Sequence, residues 1–405
     1  MNNKKLNVFT LSSLIIGPIL GSGIILLPPL LYDRVGNYSL IIWAGILVLG
    51  FLFAMIFGKL ATLYPGDGGV SLATKAAMGK HYQLLTSLYL ICAVLFGPPA
   101  VFLIAAKFIS AYFPQTPLSI LGFFIYLLTY ALLLLRIDFL GKLMLIVTTA
   151  ITLIFFISSV NILIHAHSFT FILPHIQIKE IGYSFLIVFW AIVGWEVIGN
   201  YSNEVKDQRT LINAVIFSAV IVSCIYFLIA LAVCVGDFQY KGTQAFKLVW
   251  LLQPLFKEYS QIILSSMSVI LCIGTLMLFI GGVSRLISSL NLTKYSSKHL
   301  KNGTPIGALN FLSTVYLIEL YLVHEGFLTL DKLVASADGF FIANATIGLV
   351  TAIILFKNGI LRFGAIILSA LFLSILLFSN IFILSLIIGL FLFTYFKAKR
   401  SILLV

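Results

Sequence analysis

The sequence predicts an all-α polytopic membrane protein with twelve transmembrane helices, and three observations carry that prediction. Of the 405 residues, 61% are hydrophobic and only 9% are charged, with a mean hydropathy of +1.14. An ordinary soluble protein carries about 25% charged residues. Apolar runs of about 20 residues recur from end to end, each long enough to cross a bilayer core. Turn residues and charges punctuate these runs at Asp33-Arg34, Pro65-Gly66, Pro114 to Pro117, Lys206 to Arg209 and Lys294 to Pro305.

In chain order the predicted spans cover 8–32, 39–63, 84–112, 118–135, 142–164, 183–203, 210–236, 260–291, 307–323, 332–356, 361–378 and 380–396. Residues 64–83 read as a loop of mixed polarity with a short interfacial helix. Residues 237–258 read as a longer loop with an amphipathic piece from Ala245 to Phe256. The whole of 1–405 reads as one membrane domain, with no soluble domain attached.

The net charge of +12 does not form a basic tract, so nucleic-acid binding is not indicated. Lysines and arginines instead divide between the two faces. Seventeen fall on the side of the N-terminus, and six (Arg34, Lys179, Lys241, Lys247, Lys257 and Lys332) fall on the other. This bias predicts both termini in the cytoplasm. The four cysteines (Cys92, Cys224, Cys234 and Cys272) lie in apolar runs without paired spacing and read as core residues. His165, His167 and His175 lack acidic or thiol partners for a metal. No phosphate-binding loop, nucleotide fingerprint or catalytic signature is present, so neither an enzyme nor a nucleotide-driven pump is indicated, and no cofactor is implied.

The first span carries the sequence GPILGSGIILLPP from Gly17 to Pro29. Glycine costs about 1 kcal/mol in a helix interior and proline about 3 kcal/mol. Broken backbone at membrane depth is tolerated where it is buried in protein or lines a wet cavity. Close packing through Gly17 and Gly21 is the competing reading. The added Pro18, Ser22, Gly23 and tandem prolines favour an unwound segment. The N–H groups of Ser22, Gly23 and Ile24 would then face an anion, and carbonyls near Ile19 and Leu20 a cation. Such a break can hold a zwitterion.

A second interruption falls five spans later, in FWAIVGWEVIGNYSNE, where Gly194 and Gly199 flank Glu196. Paired interruptions point to an inverted repeat with a midplane site. A carboxylate at this depth costs at least about 2.5–3.5 kcal/mol, so Glu196 reads as a gate or proton-linked group, or as an acceptor that closes the broken helix ends. Trp190 can cover the apolar part of a ligand and meet its ammonium, or simply pack. Asp338 brings a second acid into the tenth span and reads, like Glu196, as a gating or proton-linked group if it faces the pathway, or as one that pairs with a neighbouring donor. Lys107 reads as snorkelling out of the third span, and Arg285 as an inner-gate or topology charge.

These residues resemble the amino acid–polyamine–organocation (APC) transporter superfamily. The resemblance rests on GSGI with its following prolines, PGDGGVSLATKAAMGK after the second span, and FWAIVGWEVIGNYSNEVKD through the sixth. Within it, the chain looks most like small bacterial methionine and branched-chain amino-acid exporters. The resemblance implies a 5+5 inverted repeat (LeuT-like, APC fold) with discontinuous first and sixth helices. The repeats would cover about 8–164 and 183–356, with two extra helices over about 361–396.

It further implies alternating-access transport of small neutral amino acids in a bacterial-type inner membrane; the coupling ion stays open, with a proton ranked ahead of sodium. Uptake by the same fold, or ligand sensing without transport, remain the alternatives. Position by position, Ile19, Gly21, Ser22 and Gly23 would hold the substrate's charged ends. Trp190, Val193 and Gly194 would complete that cradle, with Glu196 at the gate and Cys92 and Phe96 towards the side-chain pocket. Trp195, Asn203 and Asp207-Gln208 depart from the family pattern. So does the fifth span, where some proton-driven members carry a lysine and this chain has only apolar and hydroxyl residues from Thr148 to Ser159.

Overall fold

The computed structural model describes residues 5–166, 180–181, 184–185, 188–236, 247–377 and 379–403. His167, His175, Lys179, Lys241 and the start of the predicted Ala245–Phe256 helix lie outside them. Helices dominate. In chain order they are α1 (Val8–Leu20), α2 (Gly23–Val35), α3 (Tyr38–Leu63), α4 (Val70–Met78), α5 (Lys80–Ser110), α6 (Leu118–Leu133) and α7 (Ile137–His165). Two 3-10 segments follow at Phe189–Ile192 and Trp195–Tyr201. Then come α8 (Gln208–Val235), α9 (Val249–Phe256), α10 (Ser260–Ser289), α11 (Ile306–His324), α12 (Leu330–Leu355), α13 (Ile360–Leu377) and α14 (Ile381–Leu403).

Among the described residues, nine helical stretches are long and apolar enough to cross a membrane, and Leu118–Leu133 and Ile381–Lys397 are shorter apolar helices. The predicted sixth span is not a continuous α-helix over its described part. Residues 183, 186 and 187 lie outside the described residues, and the remainder holds helical residues at 184, 185 and 188, then the 3-10 pair with turns between and after its members.

Local signals explain several ends. Asn7 and Thr10 form a reciprocal cap at α1, with Asn7 Oδ1 accepting from Thr10 N–H at 2.9 Å and Thr10 Oγ1 accepting from Asn7 N–H at 3.0 Å. Asp207 caps α8 through Thr210 N–H at 2.7 Å. The Thr210 bonds hold the Asp207 carboxyl below its ordinary value.

The short helix α4 falls inside the 64–83 loop, where the sequence predicts one. Residues such as Ile146, Ile164, Ile360 and Leu377 carry apolar side chains on the outside of the bundle. An apolar belt of this extent is a lipid-facing surface.

Inside that belt, α1 packs against α7, α8 and α10, while α5 runs along α12 and α10. With water absent from the bilayer core, apolar area drives helix association weakly, so hydroxyls contribute. Ser13 donates to Gly141 O at 3.0 Å, and Ser12 to Ala214 O at 3.3 Å. These bonds fasten α1 to α7 and α8 and fix where its far end points.

Candidate functional site

That far end is a break. Helix α1 stops at Leu20 and α2 starts at Gly23, leaving Gly21 at φ +45°. A Cβ at Gly21 would stand 2.9 Å from Pro18 O and 3.0 Å from Thr275 Oγ1, so glycine is required on both conformational and steric grounds. Side chains from other helices satisfy the carbonyls freed at the end of α1. Thr275 of α10 donates to Pro18 O at 3.0 Å. The Tyr226 hydroxyl of α8 donates to Leu20 O at 3.1 Å, its ring stacked on Trp43 with centroids 4.9 Å apart. The Tyr226 oxygen lies 2.8 Å from where a Cβ of Gly23 would be. At the other side of the break, Ser22 makes no side-chain cap. Helix geometry leaves the N–H groups of Gly23 and Ile24 without intrahelical partners.

The second break differs. Between the 3-10 segments, Gly194 adopts φ +119°, and its N–H is taken at 2.9 Å by Glu196 Oε2. Glu196 is buried and is absent from the cavity wall. Its carboxylate therefore acts as the acceptor that closes the broken ends. A Cβ at Gly194 would meet the Ile19 side chain at 2.7 Å, so the two breaks touch.

Between them lies a cavity of ≈ 50 Å³, walled by the Pro18–Gly23 backbone, Gly97, Pro98 and Val101 of α5, Trp190, Val193, Thr275, Leu276 and Phe279 of α10, and Phe341 of α12. Among the described residues, no charged side chain lines it. Of the predicted site residues, Ile19, Gly21, Ser22, Gly23, Trp190 and Val193 meet here, with Gly194 just behind. Ile24 is buried away from the wall.

Cys92 and Phe96 do not reach the cavity, and Phe96 stacks instead on Phe340. The residues of α5 that do reach it are Val101 and the Gly97-Pro98 part of Gly97-Pro98-Pro99, a third helix irregularity. Proline 98 has no N–H to give Val94 O, and the buried Tyr316 hydroxyl of α11 fills that vacancy at 2.8 Å. The sequence signal for this wall was a Gly-Pro-Pro run in an apolar span, the same kind of signal that marked the first break.

A larger cavity of ≈ 520 Å³ adjoins the first on the α2 side. The two share Ser22, Gly23, Trp190, Val193 and Phe341, and the larger one also reaches Asp338. The opposite end is closed. Arg285 Nε meets Glu204 Oε1 at 2.9 Å, its Nη1 donates to Gly281 O at 2.9 Å, and its guanidinium lies 4.8 Å over the Tyr201 ring. Leu6 pairs with the same segment as a parallel bridge, its N–H donating to Glu204 O at 2.9 Å. Asn203 Nδ2 donates to Asp67 Oδ1 at 2.9 Å. Burial raises the Asp67 carboxyl above its ordinary value, while Arg285 and Asn203 pull it down.

No lysine enters from the fifth span. The Met144 methyl of α7 fills the gap between α1 and α10, 3.2 Å from a Cβ placed on Gly17 and 2.8 Å from one placed on Gly274. Among the described residues, no group of three His, Cys, Asp or Glu could hold a metal ion.

Comparison with known proteins gives this architecture a family. The amino acid permease model matches residues 6–401. The chain belongs to the amino acid permease family, within the APC superfamily. This permease is 25% identical over 352 residues to the L-methionine/branched-chain amino acid exporter YjeH of Escherichia coli (strain K12), covering 80% of this chain and 79% of that one. It is 22% identical over 341 residues to the uncharacterized amino acid permease YecA of Bacillus subtilis (strain 168), covering 79% and 77%.

Among solved structures it resembles a mutant of the Eremococcus coleocola manganese transporter, with a TM-score of 0.61 and 13% identity over 97% of this chain and 95% of that one. The same transporter bound to an aromatic bis-isothiourea compound gives 0.58 and 14%. At these identities the likeness is one of fold. The permease is a membrane transporter and not an enzyme.

Proposed function

We propose that this permease is a secondary active transporter of small neutral amino acids, working by alternating access, and that it exports methionine or branched-chain substrates. One observation carries the reading: two backbone breaks converge on a small cavity whose wall is mostly apolar and, among the described residues, carries no charged side chain. The opening N–H groups of α2 suit a carboxylate, and the carbonyls ending α1 suit an ammonium. Trp190, Phe279 and Phe341 suit an uncharged side chain. A dicationic substrate would need countercharge that this wall lacks. The exporter assignment is taken from the E. coli relative.

In this reading the chain has twelve spans, the 5+5 inverted repeat over about 8–164 and 183–356, and two further helices. It sits in a bacterial-type inner membrane with both termini cytoplasmic. The α2 side then faces outward and the Arg285 side inward, which puts the larger cavity on the outward side. Glu196 serves as the gate by holding or releasing Gly194 N–H. Met144 fills the gap between α1 and α10, which favours a proton over sodium as coupling ion.

Counterflow in liposomes tests the proposal. Labelled leucine and methionine should exchange while arginine should not, and arginine-only exchange would overturn the neutral-substrate reading. Glu196→Gln should change the pH dependence of counterflow more than the folded yield. An unchanged profile would leave Glu196 as a closing acceptor alone.

A further inference from the structure

The ≈ 520 Å³ cavity on the α2 side lies within the size range of ligand pockets, about 300–1,000 Å³, and is roughly tenfold roomier than the space between the breaks. Among the described residues, its wall includes a single charged group, Asp338 of α12. Asp338 is only partly exposed, and its carboxylate has no hydrogen bond or ion pair among the described residues. In a chain with 25 basic and 13 acidic residues, an acid left unpaired at membrane depth is unusual, because such a charge is costly without a partner.

Other wall groups extend its chemistry. Trp190 and Phe341 offer ring faces, and Ser22 and Ser379 offer hydroxyls. Asn380 commits its Oδ1 to Phe382 N–H at 2.8 Å, leaving its NH2 as a donor. A lone carboxylate beside aromatic rings matches an organic ammonium. It does not match a divalent metal, which needs several anionic ligands, and none cluster here among the described residues.

We propose that this cavity is a second ligand site, in which Asp338 binds the ammonium group of an amino acid before it passes to the space between the breaks. Asn380 and Ser379 face the carboxylate end of the same molecule. The two sites meet at Trp190 and Val193, which line both, so a ligand leaves one as it enters the other. The choice of an amino acid rests on the transporter reading, whereas the ammonium chemistry rests on Asp338 alone.

Equilibrium binding to the full-length chain in lipid nanodiscs tests this. The probes are labelled leucine and isobutylamine, a branched-chain amine that has an ammonium but no carboxylate (valine without its carboxylate). The wild type should bind two equivalents of leucine, one of them displaced by isobutylamine. Asp338→Asn should bind one equivalent and lose at least tenfold in isobutylamine affinity, and Asp338→Glu should restore amine binding. Gly21→Ala should do the opposite, losing the site between the breaks and keeping the amine. Ala335→Phe, which fills the larger cavity without touching the carboxylate, should also abolish amine binding.

One leucine equivalent in both wild type and Asp338→Asn, or isobutylamine affinity indifferent to Asp338, would overturn the proposal while leaving the transport reading intact. Asp338-dependent isobutylamine binding with no leucine bound anywhere would keep the ammonium site and overturn the amino-acid reading.

Discussion

The two breaks solve one problem in opposite ways. Both interrupt helical hydrogen bonding at membrane depth, where every orphaned backbone group must find a partner. At Gly21 the carbonyl partners come from two other helices, through Tyr226 and Thr275, and the N–H groups that open α2 point away from any helical acceptor. At Gly194 the partner comes from two residues along the same chain, Glu196, and the break closes on itself. The first break therefore leaves polar backbone groups open beside the cavity. The second is a self-satisfied hinge that lends the cavity Trp190 and Val193.

That contrast can be broken experimentally, and the largest effect is expected at Gly21. Gly21→Ala forces a Cβ into positive φ and onto Pro18 O. Strain of about 1–3 kcal/mol there should weaken leucine binding roughly ten- to hundredfold in equilibrium dialysis. Next is the hinge. Glu196→Leu leaves Gly194 N–H buried without an acceptor, a loss of about 1–3 kcal/mol that should appear as a lowered thermal unfolding midpoint in detergent. Glu196→Gln retains an acceptor oxygen and should lose little.

Arg285→Gln removes the partner of Glu204 at the closed end, a pair whose side chains are 11% and 27% exposed. With that exposure discounting the full value for a buried pair, about 1–2 kcal/mol should shift towards opening. The readout is faster labelling of a cysteine at position 284, in a background without the native cysteines. Tyr226→Phe keeps the stack on Trp43 but forfeits the bond to Leu20 O. It should cost about 1 kcal/mol, read as a roughly fivefold weaker leucine affinity.

The smallest effect is Asn203→Ala, about 0.5 kcal/mol at an exposed bond, and it carries a pH signature. The folded state already holds the Asp67 proton more tightly than the unfolded chain does. Its contribution to stability is therefore complete below the ordinary aspartate range and declines as pH rises through the raised folded value. Removing the Asn203 donor should steepen that decline in unfolding experiments across mildly acidic pH.

How much of this was legible beforehand depended on whether a residue broke a local rule. Glycines and prolines in an apolar run violate helix propensity, so the first break could be read from Gly17 to Pro29. A carboxylate in a span violates hydropathy, so Glu196 stood out. Tyr226, Thr275 and Tyr316 violate nothing. A lone hydroxyl in a membrane helix reads as packing until the orphaned carbonyl it serves is located, here 206 and 257 positions away in two cases.

The side-chain wall was misplaced by a helical register. Phe96 and Gly97 are neighbours in sequence but about 100° apart around α5, so one faces Phe340 and the other the cavity. The closed end needed pairings between distant segments, Leu6 with Val205 and Glu204 with Arg285, that no local pattern announces.

The Leu6–Val205 bridge has a mechanical consequence. Helix α1 is 13 residues, about 20 Å of nearly rigid rod at 1.5 Å per residue, held at one end by the flexible Gly21 and at the other by a few hydrogen bonds. It is a lever with its pivot beside the ligand. A tilt of about 10° at the pivot sweeps the far end through roughly 3 Å, enough to part the Leu6 N–H from its acceptor. In the proposed transport cycle, a small change of angle at the break would thus be amplified into release of the tethered N-terminal segment.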